Sequence, residues 1–501
     1  MSSTTTSSPN LATDHVDVLI VGAGISGIGA AYWLNTLSPN KTWTILEGRE
    51  DLGGTWDLFR YPGIRSDSDM YTLGYSFKPW TNPKAIADGP AILDYVRETA
   101  VEQGIDEHIR FSHRVERAEW DSGQGQWTVY ARTGDEVVTL TCGFLFMCSG
   151  YYSYKSGYTP DFPGRERFGG PVIHPQEWPE DLEYAGKRVV IIGSGATAVT
   201  IVPAIADETE HVTMLQRSPT WMVARPDVDP VAQRLRKYLP ERLAYAAIRR
   251  RNTWRGELVY NMSRTKPEKV REQLLGLSRQ ALGEEEVAKN FTPSYNPWDQ
   301  RLCLMPNGDF YSSITDGKAD VVTDTIESFT ETGIQLTSGQ HLDADIIVTA
   351  TGLNLVTVGD MDFVVDGETV DFSETWTYRG IGYSGIPNMA STFGYINASW
   401  TLRADLVSRF VCRLLNHMDE QGTDVVTPML RPSDRDMPVR PWIDDFSSGY
   451  MQRMMPLLPR QGDREPWTNP QRYAIERKEL LRAPLDDGTL VFAATREMVD
   501  A

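Results

Sequence analysis

Short apolar runs alternate with amphipathic segments along most of the chain, which is the pattern of an α/β protein with parallel strands. One apolar run at residues 16–21 is followed by a glycine-rich turn, a helical pattern at 28–37 and a second run at 42–46. The same order returns with the run at residues 188–192 and the run at 211–216. Each stretch therefore predicts a βαβ unit.

A series of short alternating runs follows each unit and ends in an apolar strand: residues 109–147 in the first half, 321–349 in the second. This shared order predicts a repeated fold, with one copy inserted in the other. We expect a disordered tail over residues 1–14, a first nucleotide domain over 15–150 and 380–501, and a second over 151–224 and 316–379.

Residues 225–315 form the remaining segment, which is rich in Arg, Leu, Glu and Lys. Helical spacing at residues 235–251 and 268–282 predicts a helical insert that acts as a cap. Its basic cluster at residues 249–251 could contact a membrane surface, but a solvated face is the better interpretation in so acidic a chain.

The turn after the first strand carries a dinucleotide fingerprint. Its glycines allow a tight turn and the close approach of a pyrophosphate to a helix N-terminus. Glu47 follows the second strand, where an acid can hydrogen-bond a ribose that has no 2′-phosphate, as in FAD. The predicted contacts are Gly22, Gly24, Ser26, Gly27 and Glu47.

The second fingerprint differs in the residues that face the ribose. Arg217 and Ser218 follow the strand at 211–216, in place of an acid, so NADP is predicted over NAD. The other predicted contacts are the fingerprint residues Gly193, Gly195, Ala196 and Thr197, with Thr351 and Gly352 after the last strand.

Two further motifs resemble those of the Baeyer–Villiger monooxygenases, a branch of the flavin-containing monooxygenases. Residues 168–179 read F-x-G-x-x-x-H-x-x-x-W-P, and residues 53–67 read G-G-x-W-x-x-x-x-Y-P-G-x-x-x-D. The resemblance extends from about residue 16 to about 490 and is closest to the ethionamide-activating group. It implies an α/β fold with two Rossmann-like domains, for FAD and NADP, and a helical insert.

The resemblance also implies roles for individual residues. In the family the 168–179 motif couples the flavin and nicotinamide sites, which here involves His174. Arg301 would be the cation beside a flavin hydroperoxide, and Asp67 would hold that cation; Asp69 is interpreted as a solvated loop acid. Many members have Lys where this chain has Gln300, which leaves more of the 2′-phosphate binding to Arg217 and Ser218. The remaining implied cofactor contacts are Gly54, Thr55, Trp56, Arg65 and Tyr71.

The implied reaction is the NADPH- and O₂-dependent oxygenation of a small ketone or sulfide. The nearest alternative is an N- or S-oxygenating flavin monooxygenase without Baeyer–Villiger activity. A disulfide reductase would need a cysteine pair beside the flavin, and Cys142 and Cys148 are poorly spaced for one. A flavoprotein that only senses redox state is the alternative outside the enzymes.

Composition sets the remaining expectations for this chain of 501 residues and net charge −19. So acidic a protein is not expected to bind nucleic acid. Four cysteines without metal spacing fit the cytoplasm and predict no metal site. No apolar run is long enough to cross a bilayer. Neither the physiological substrate nor the oligomeric state follows from these patterns.

Overall fold

The computed structural model describes residues 14–444 and 446–495. The predicted tail therefore lies, apart from Asp14, outside the described residues.

The larger sheet forms around the first predicted unit. Asp14–Val21 runs parallel to Trp43–Leu46 on one side and to Glu136–Met147 on the other. The end of the predicted series at 109–147 forms this one long strand, which pairs antiparallel with Gln126–Thr133 before it joins the parallel strands. The strand order is Glu368–Thr369, Asp362–Val365, Arg114–Asp121, Gln126–Thr133, Glu136–Met147, Asp14–Val21, Trp43–Leu46, Ile109–Arg110, with Met389–Ser391 also paired to Glu136–Met147.

The second sheet forms around the second unit, and its pairs are parallel. Here the short alternating runs make a separate antiparallel sheet of Ile326–Thr330, Gly333–Leu336 and His341–Asp343. The two copies thus share their parallel units but place their antiparallel strands differently. The parallel order is Ala319–Thr323, His211–Gln216, Arg188–Ile192, Ile346–Thr349, Val172–Ile173.

The pairing of one strand concerns the predicted end of the second domain at residue 379. Asp362–Val365 pairs in parallel with Arg114–Asp121 and so joins the larger sheet ahead of the expected return at residue 380. Four two-stranded ribbons complete the described strands: Met222–Arg225 with Cys303–Pro306, Tyr152–Gly157 with Leu353–Leu355, Thr377–Tyr378 with Gly382–Tyr383, and Val425–Pro428 with Leu490–Ala493.

Helices cover the sheets and fill the insert. Ile25–Leu37, after the first fingerprint, packs against the long helix Trp400–Gln421, and both contribute to the largest apolar core. The described helices are Ile25–Leu37, Thr55–Leu58, Met70–Leu73, Gly89–Glu102, Ala196–Ile205, Pro230–Tyr238, Glu241–Thr265, Pro267–Leu282, Glu284–Asn290, Asp309–Thr315, Trp400–Gln421, Gly449–Met454 and Tyr473–Arg482.

The insert differs from its prediction in two respects. The helix expected at 235–251 is divided between Pro230–Tyr238 and Glu241–Thr265, because Pro240 lacks an N–H and disfavours helical backbone in the residue before it. The prediction of a solvated basic face is also wrong for Arg249, because its guanidinium donates to the carbonyls of Tyr71 and Gly74 at 3.0 and 2.6 Å.

Candidate active site

A cavity of about 340 Å³ opens where the parallel strands of the larger sheet end. Gly22 has φ +104°, and a Cβ there would lie 2.7 Å from the carbonyl oxygen of Cys148. A Cβ at Gly27 would lie 1.9 Å from the carbonyl oxygen of Gly22. Only glycine therefore lets the strand, turn and helix pack this closely, and the packing leaves the N-terminus of Ile25–Leu37 at the cavity wall.

Glu47, the predicted ribose contact, is buried at the end of the second strand. Its carboxylate is 2% exposed and accepts hydrogen bonds from the backbone N–H groups of Ala23 at 2.7 Å and Arg49 at 3.0 Å. Burial raises the pKa of Glu47, although the two N–H groups oppose that shift. Its oxygens thus tie the fingerprint turn to the end of the second strand, and the residue lines the cavity.

The predicted loop at residues 53–67 forms one side of this cavity. Gly54, with φ +57°, approaches Gly24, since its Cβ would lie 3.1 Å from the Gly24 Cα. Arg65 lines the cavity and forms an ion pair with Asp309 at the start of a short helix. The ion pair fixes the loop against the helix Asp309–Thr315, which lies in the segment predicted as the insert. Tyr71 lies in the core and does not line either large cavity.

A second cavity of about 720 Å³ lies under the helical insert. Asp67 and Arg301 line both cavities and therefore mark their junction. Asp67 is exposed only at the cavity that it lines, and its desolvation by the surrounding protein raises its pKa, while the charges of Arg301 and Arg65 oppose the rise. Burial alone would lower the pKa of Arg301. The electrostatic influence of three nearby tyrosines, Tyr450 most of all, and of Asp67 outweighs burial and raises this pKa. The junction thus holds a permanent cation.

Three tyrosines around Arg301 were missed by the sequence interpretation. The hydroxyl groups of Tyr151 and Tyr152 form a hydrogen bond with each other at 2.8 Å. Burial raises the pKa of Tyr152 and of Tyr450 to about 12. All three influence the pKa of Arg301. No local motif signals them, because Tyr450 lies some three hundred residues from the other two along the chain.

Aromatic residues from the C-terminal part complete the cavity wall. Trp400 donates its Nε1–H to the hydroxyl of Ser26 at 2.7 Å, and its ring stacks on Tyr151 with centroids 5.2 Å apart. Trp400 and Tyr395 both line the first cavity. A fingerprint residue is thereby held by a helix that follows it by more than 370 residues.

Asp69 was expected to be a solvated loop acid, and that prediction is wrong. Its two carboxylate oxygens accept from Asn252 and Thr72, each at 3.0 Å, and it lines the second cavity. Asn252 belongs to the insert helix Glu241–Thr265, so Asp69 connects the insert to the flavin domain.

The second fingerprint has the geometry of a phosphate site. Gly193 has φ +131°, and a Cβ there would lie 2.3 Å from the carbonyl oxygen of Ala350. A Cβ at Gly195 would have no neighbour within 4 Å, so the start of Ala196–Ile205 is open to a ligand. The hydroxyl of Ser194 donates to the carbonyl of Ser218 at 3.1 Å, which brings the predicted ribose residues to this turn. Arg217 is exposed and forms no ion pair within the described parts of the chain.

His174 lies between the connector and the last strand of the second sheet. Its Nδ1 accepts from the N–H of Gln176 at 3.1 Å, so its Nε2–H donates to the carbonyl of Gly352 at 2.9 Å. Burial lowers the pKa of His174, which favours the neutral ring. The histidine therefore joins two backbone segments, one of which is the predicted cofactor turn at Gly352. In the same turn, the hydroxyl of Thr351 donates to the carbonyl of Tyr158.

The structure brings many of the predicted residues to one place. Those that line the first cavity are Gly22, Gly24, Ser26, Glu47, Gly54, Thr55, Trp56, Arg65, Asp67, Ala196, Thr197 and Arg301. Those that line neither this nor the second cavity are Gly27, Tyr71, His174, Gly193, Gly195, Arg217, Ser218, Gln300, Thr351 and Gly352. The individual binding roles of both sets stay predictions.

Residues 15–275 match the family described as FMO-like, flavin-binding monooxygenase-like. The chain belongs to this family and is a flavin monooxygenase. It is 55% identical to the FAD-containing monooxygenase EthA of Mycobacterium tuberculosis (strain ATCC 25618 / H37Rv), over 96% of this chain and 98% of the relative. It is 52% identical to the EthA of Mycolicibacterium smegmatis (strain ATCC 700084 / mc(2)155), over 98% and 99%. The predicted family is confirmed.

The fold is similar to that of solved monooxygenases at lower identity. An oxidized steroid monooxygenase bound to NADP is 24% identical with a TM-score of 0.76, and the match covers 96% of this chain and all of that one. OTEMO in complex with FAD and NADP (form 2) is 20% identical with a TM-score of 0.75, at 96% and 100% coverage. The predicted α/β class is confirmed, and the predicted FAD and NADP cofactors agree with these findings.

The remaining expectations concern membrane-spanning helices, metal ions and disulfides. Among the described residues, no helix is both long and apolar enough to cross a membrane. In the same part of the chain, no cluster of three or more His, Cys, Asp or Glu side chains could hold a metal ion. All four cysteines are buried and free, so Cys142 and Cys148 form no disulfide.

Proposed function

We propose that this flavin monooxygenase uses NADPH and O₂ to oxygenate small ketones and sulfides, inserting oxygen beside a carbonyl or adding it to sulfur. One atom of O₂ enters the product and the other leaves as water, with two electrons from NADPH and one further proton. The observation that carries the proposal is the position of Arg301 and Asp67, which line both the fingerprint cavity and the larger cavity under the insert.

The residues present fit the two cofactors. The first turn leaves a helix N-terminus open at the cavity wall, and its close packing admits only glycine at positions 22 and 27. The second turn offers an open helix N-terminus with Arg217 and Ser218 beside it. FAD bound at the first turn would supply the chemistry that activates O₂, once NADPH has reduced the flavin.

The chain itself supplies charge and orientation. Arg301 is a fixed cation that stabilises negative charge developing on oxygen. Asp67 balances the guanidinium and orients it. Tyr151, Tyr152 and Tyr450 present phenol groups with raised pKa values, which stay protonated and can donate hydrogen bonds near neutral pH.

The test separates reduction from oxygenation in Arg301→Ala. Both fingerprints lie elsewhere, so NADPH should still reduce the bound flavin at a measurable rate. Product formation should fall by about 10²–10³-fold, because one preorganised charge is lost. Arg301→Lys should recover activity only in part, since lysine lacks the planar fork that a carboxylate orients.

Stopped-flow absorbance would follow flavin reduction, and chromatography would quantify ester or sulfoxide per NADPH consumed. Arg250→Ala is the matched control, because Arg250 is an exposed arginine that lines neither cavity. Full product yield per NADPH in Arg301→Ala would refute the assigned role. A ketone and sulfide panel that gave no oxygenated product with the unaltered holoenzyme would refute the proposed function itself.

A further inference from the structure

The second cavity combines an apolar wall with arginines that have no acidic partner. Arg225 ends the strand Met222–Arg225, and Arg255 lies on the insert helix Glu241–Thr265; both line the cavity. Within residues 14–444 and 446–495, neither arginine forms an ion pair. Three other arginines of the insert helix do: Arg249 with Asp405, Arg251 with Asp229, and Arg264 with Asp299.

The two guanidinium groups are close enough to affect each other. Burial and then the charge of Arg255 lower the pKa of Arg225, while Asp69 opposes the shift. Asp69 is already engaged by Asn252 and Thr72. Arg225 and Arg255 are both exposed and line the same cavity, so their like charges repel each other, and an anion placed between them would relieve the repulsion.

Strand alternation determines what accompanies Arg225. Val223 and Arg225 lie on one face of their strand, and Leu302 and Leu304 line the same cavity from the neighbouring segment. Cys303 and Met305, which alternate with those leucines, are buried in the core instead. The ribbon thus presents a stretch of apolar side chains that ends at an arginine.

The insert helices give the opposite wall the same character. Arg255, Val259 and Met262 recur with spacing i, i+4, i+7 on one helix face, and all three line the cavity. Leu274 and Leu277 of the next helix, Pro267–Leu282, line it as well.

Acidic side chains line the cavity too, but three of them have partners of their own. Asp229 pairs with Arg251, Asp69 accepts from Asn252 and Thr72, and Glu257 accepts from the backbone N–H of Ala474.

The chain between the arginine charge and Arg301 limits how long a ligand that reaches both can be. Arg225 pairs with Pro306, which follows Arg301 by five residues. Five residues of extended chain span at most about 18 Å. An apolar chain that spans up to about this distance would connect an anionic end at the two arginines to a group near Arg301.

We propose that the second cavity binds substrates with a carboxylate at the end of an apolar chain, such as long-chain oxo acids or thioether acids. Arg225 and Arg255 hold the carboxylate, the apolar walls hold the chain, and the ketone or sulfur lies near Arg301. This inference rests on the proposed oxygenation and specifies its substrate class.

The kinetic test compares an oxododecanoate that carries a methyl ketone with its methyl ester, using the FAD-loaded enzyme. The acid should have a kcat/KM about 10–100-fold above that of the ester, mainly through a lower KM, since a charge-assisted contact contributes that much to binding. Arg225→Gln and Arg255→Gln should each reduce this ratio toward one by weakening the acid alone. Arg250→Gln, on an exposed face of the same helix, should keep the ratio.

A second test needs no turnover: calorimetry measures the binding of decanoate and of decanol to the holoenzyme. Decanoate should bind the unaltered holoenzyme at least tenfold more tightly than decanol, and Arg225→Gln with Arg255→Gln should remove the difference. Equal kcat/KM for acid and ester, or equal affinity for decanoate and decanol, would overturn the inference. If the enzyme oxygenates the methyl ester as efficiently as the acid, the inference fails and the proposed function remains intact. If no ketone or sulfide gives a product, the proposed function itself is wrong.

Discussion

A pair of glutamates near the C-terminus makes the stability of this protein depend on pH near neutrality. Glu479 lies on the helix Tyr473–Arg482 and is 7% exposed. Burial and the adjacent carboxyl of Glu465 raise the pKa of Glu479 to about 7, against the opposing charge of Arg379. The folded protein therefore holds a proton here that the unfolded chain releases at lower pH.

The sign and size of the effect follow from this difference. Glu479 has a folded-state pKa near 7 and a reference value of 4.5, so between these two values the folded state binds more protons. The free energy of unfolding should fall as pH rises through that window and level off above it. The shift corresponds to at most about 3 kcal/mol, at 1.36 kcal/mol per pKa unit.

The perturbation is Glu479→Gln, which keeps a hydrogen-bond donor beside Glu465 but cannot ionise. An unfolding entropy of about 2.1 cal/mol/K per residue gives roughly 1 kcal/mol/K for a chain of this length, so the full effect is about 3 °C in Tm. Scanning calorimetry from about pH 5 to 8 should show the unaltered protein losing up to that much relative to Glu479→Gln.

Glu272→Gln is the matched control, because Glu272 is an exposed helical glutamate that pairs with Arg279. It should follow the pH profile of the unaltered protein. Parallel profiles for the unaltered protein and Glu479→Gln across the whole range would refute the shared-proton reasoning.

Three further outcomes test other parts of the molecule. Arg217→Ala should raise KM for NADPH about tenfold to a hundredfold and leave NADH almost unchanged; a KM for NADPH within about twofold would contradict the phosphate assignment. His174→Ala should retain FAD but lose coupled NADPH oxidation, because its bond to the Gly352 carbonyl is lost; unchanged rate and coupling in a peroxide and NADPH assay would make His174 only a core residue. Arg403→Met should lower unfolding free energy by about 3–5 kcal/mol by leaving Glu476 buried without its partner at 3.0 Å, and denaturant titration should show that adding Glu476→Gln restores part of it.

The parallel units could be predicted because local rules determine them. Gly22 and Gly193 have backbone angles that other residues rarely adopt, and each lies where an apolar strand ends. Strand boundaries at 188–192 and 211–216 agree with the structure to the residue. Sequence spacing carries this information, since strand, turn and helix are adjacent along the chain.

The surroundings of Arg301 could not be predicted in the same way. Tyr151 and Tyr450 reach Arg301 from separate segments, and their placement depends on long-range packing. The basic cluster failed for a related reason. Arg249 has the local pattern of a solvated face, yet its partners are backbone carbonyls at residues 71–74, far away in sequence.

The position of Arg301 depends on a neighbour that no motif includes. Asp299 accepts from Arg264 of the insert helix at 2.6 Å and from the backbone N–H of Asn296 at 3.0 Å, while its carbonyl accepts from the N–H of Ser447 at 2.9 Å. The insert and the C-terminal segment are therefore both attached two residues before the guanidinium. Because the insert and the C-terminal segment both contact Asp299, a movement of the insert would be transmitted to Arg301, and through it to the cavity that the first fingerprint lines.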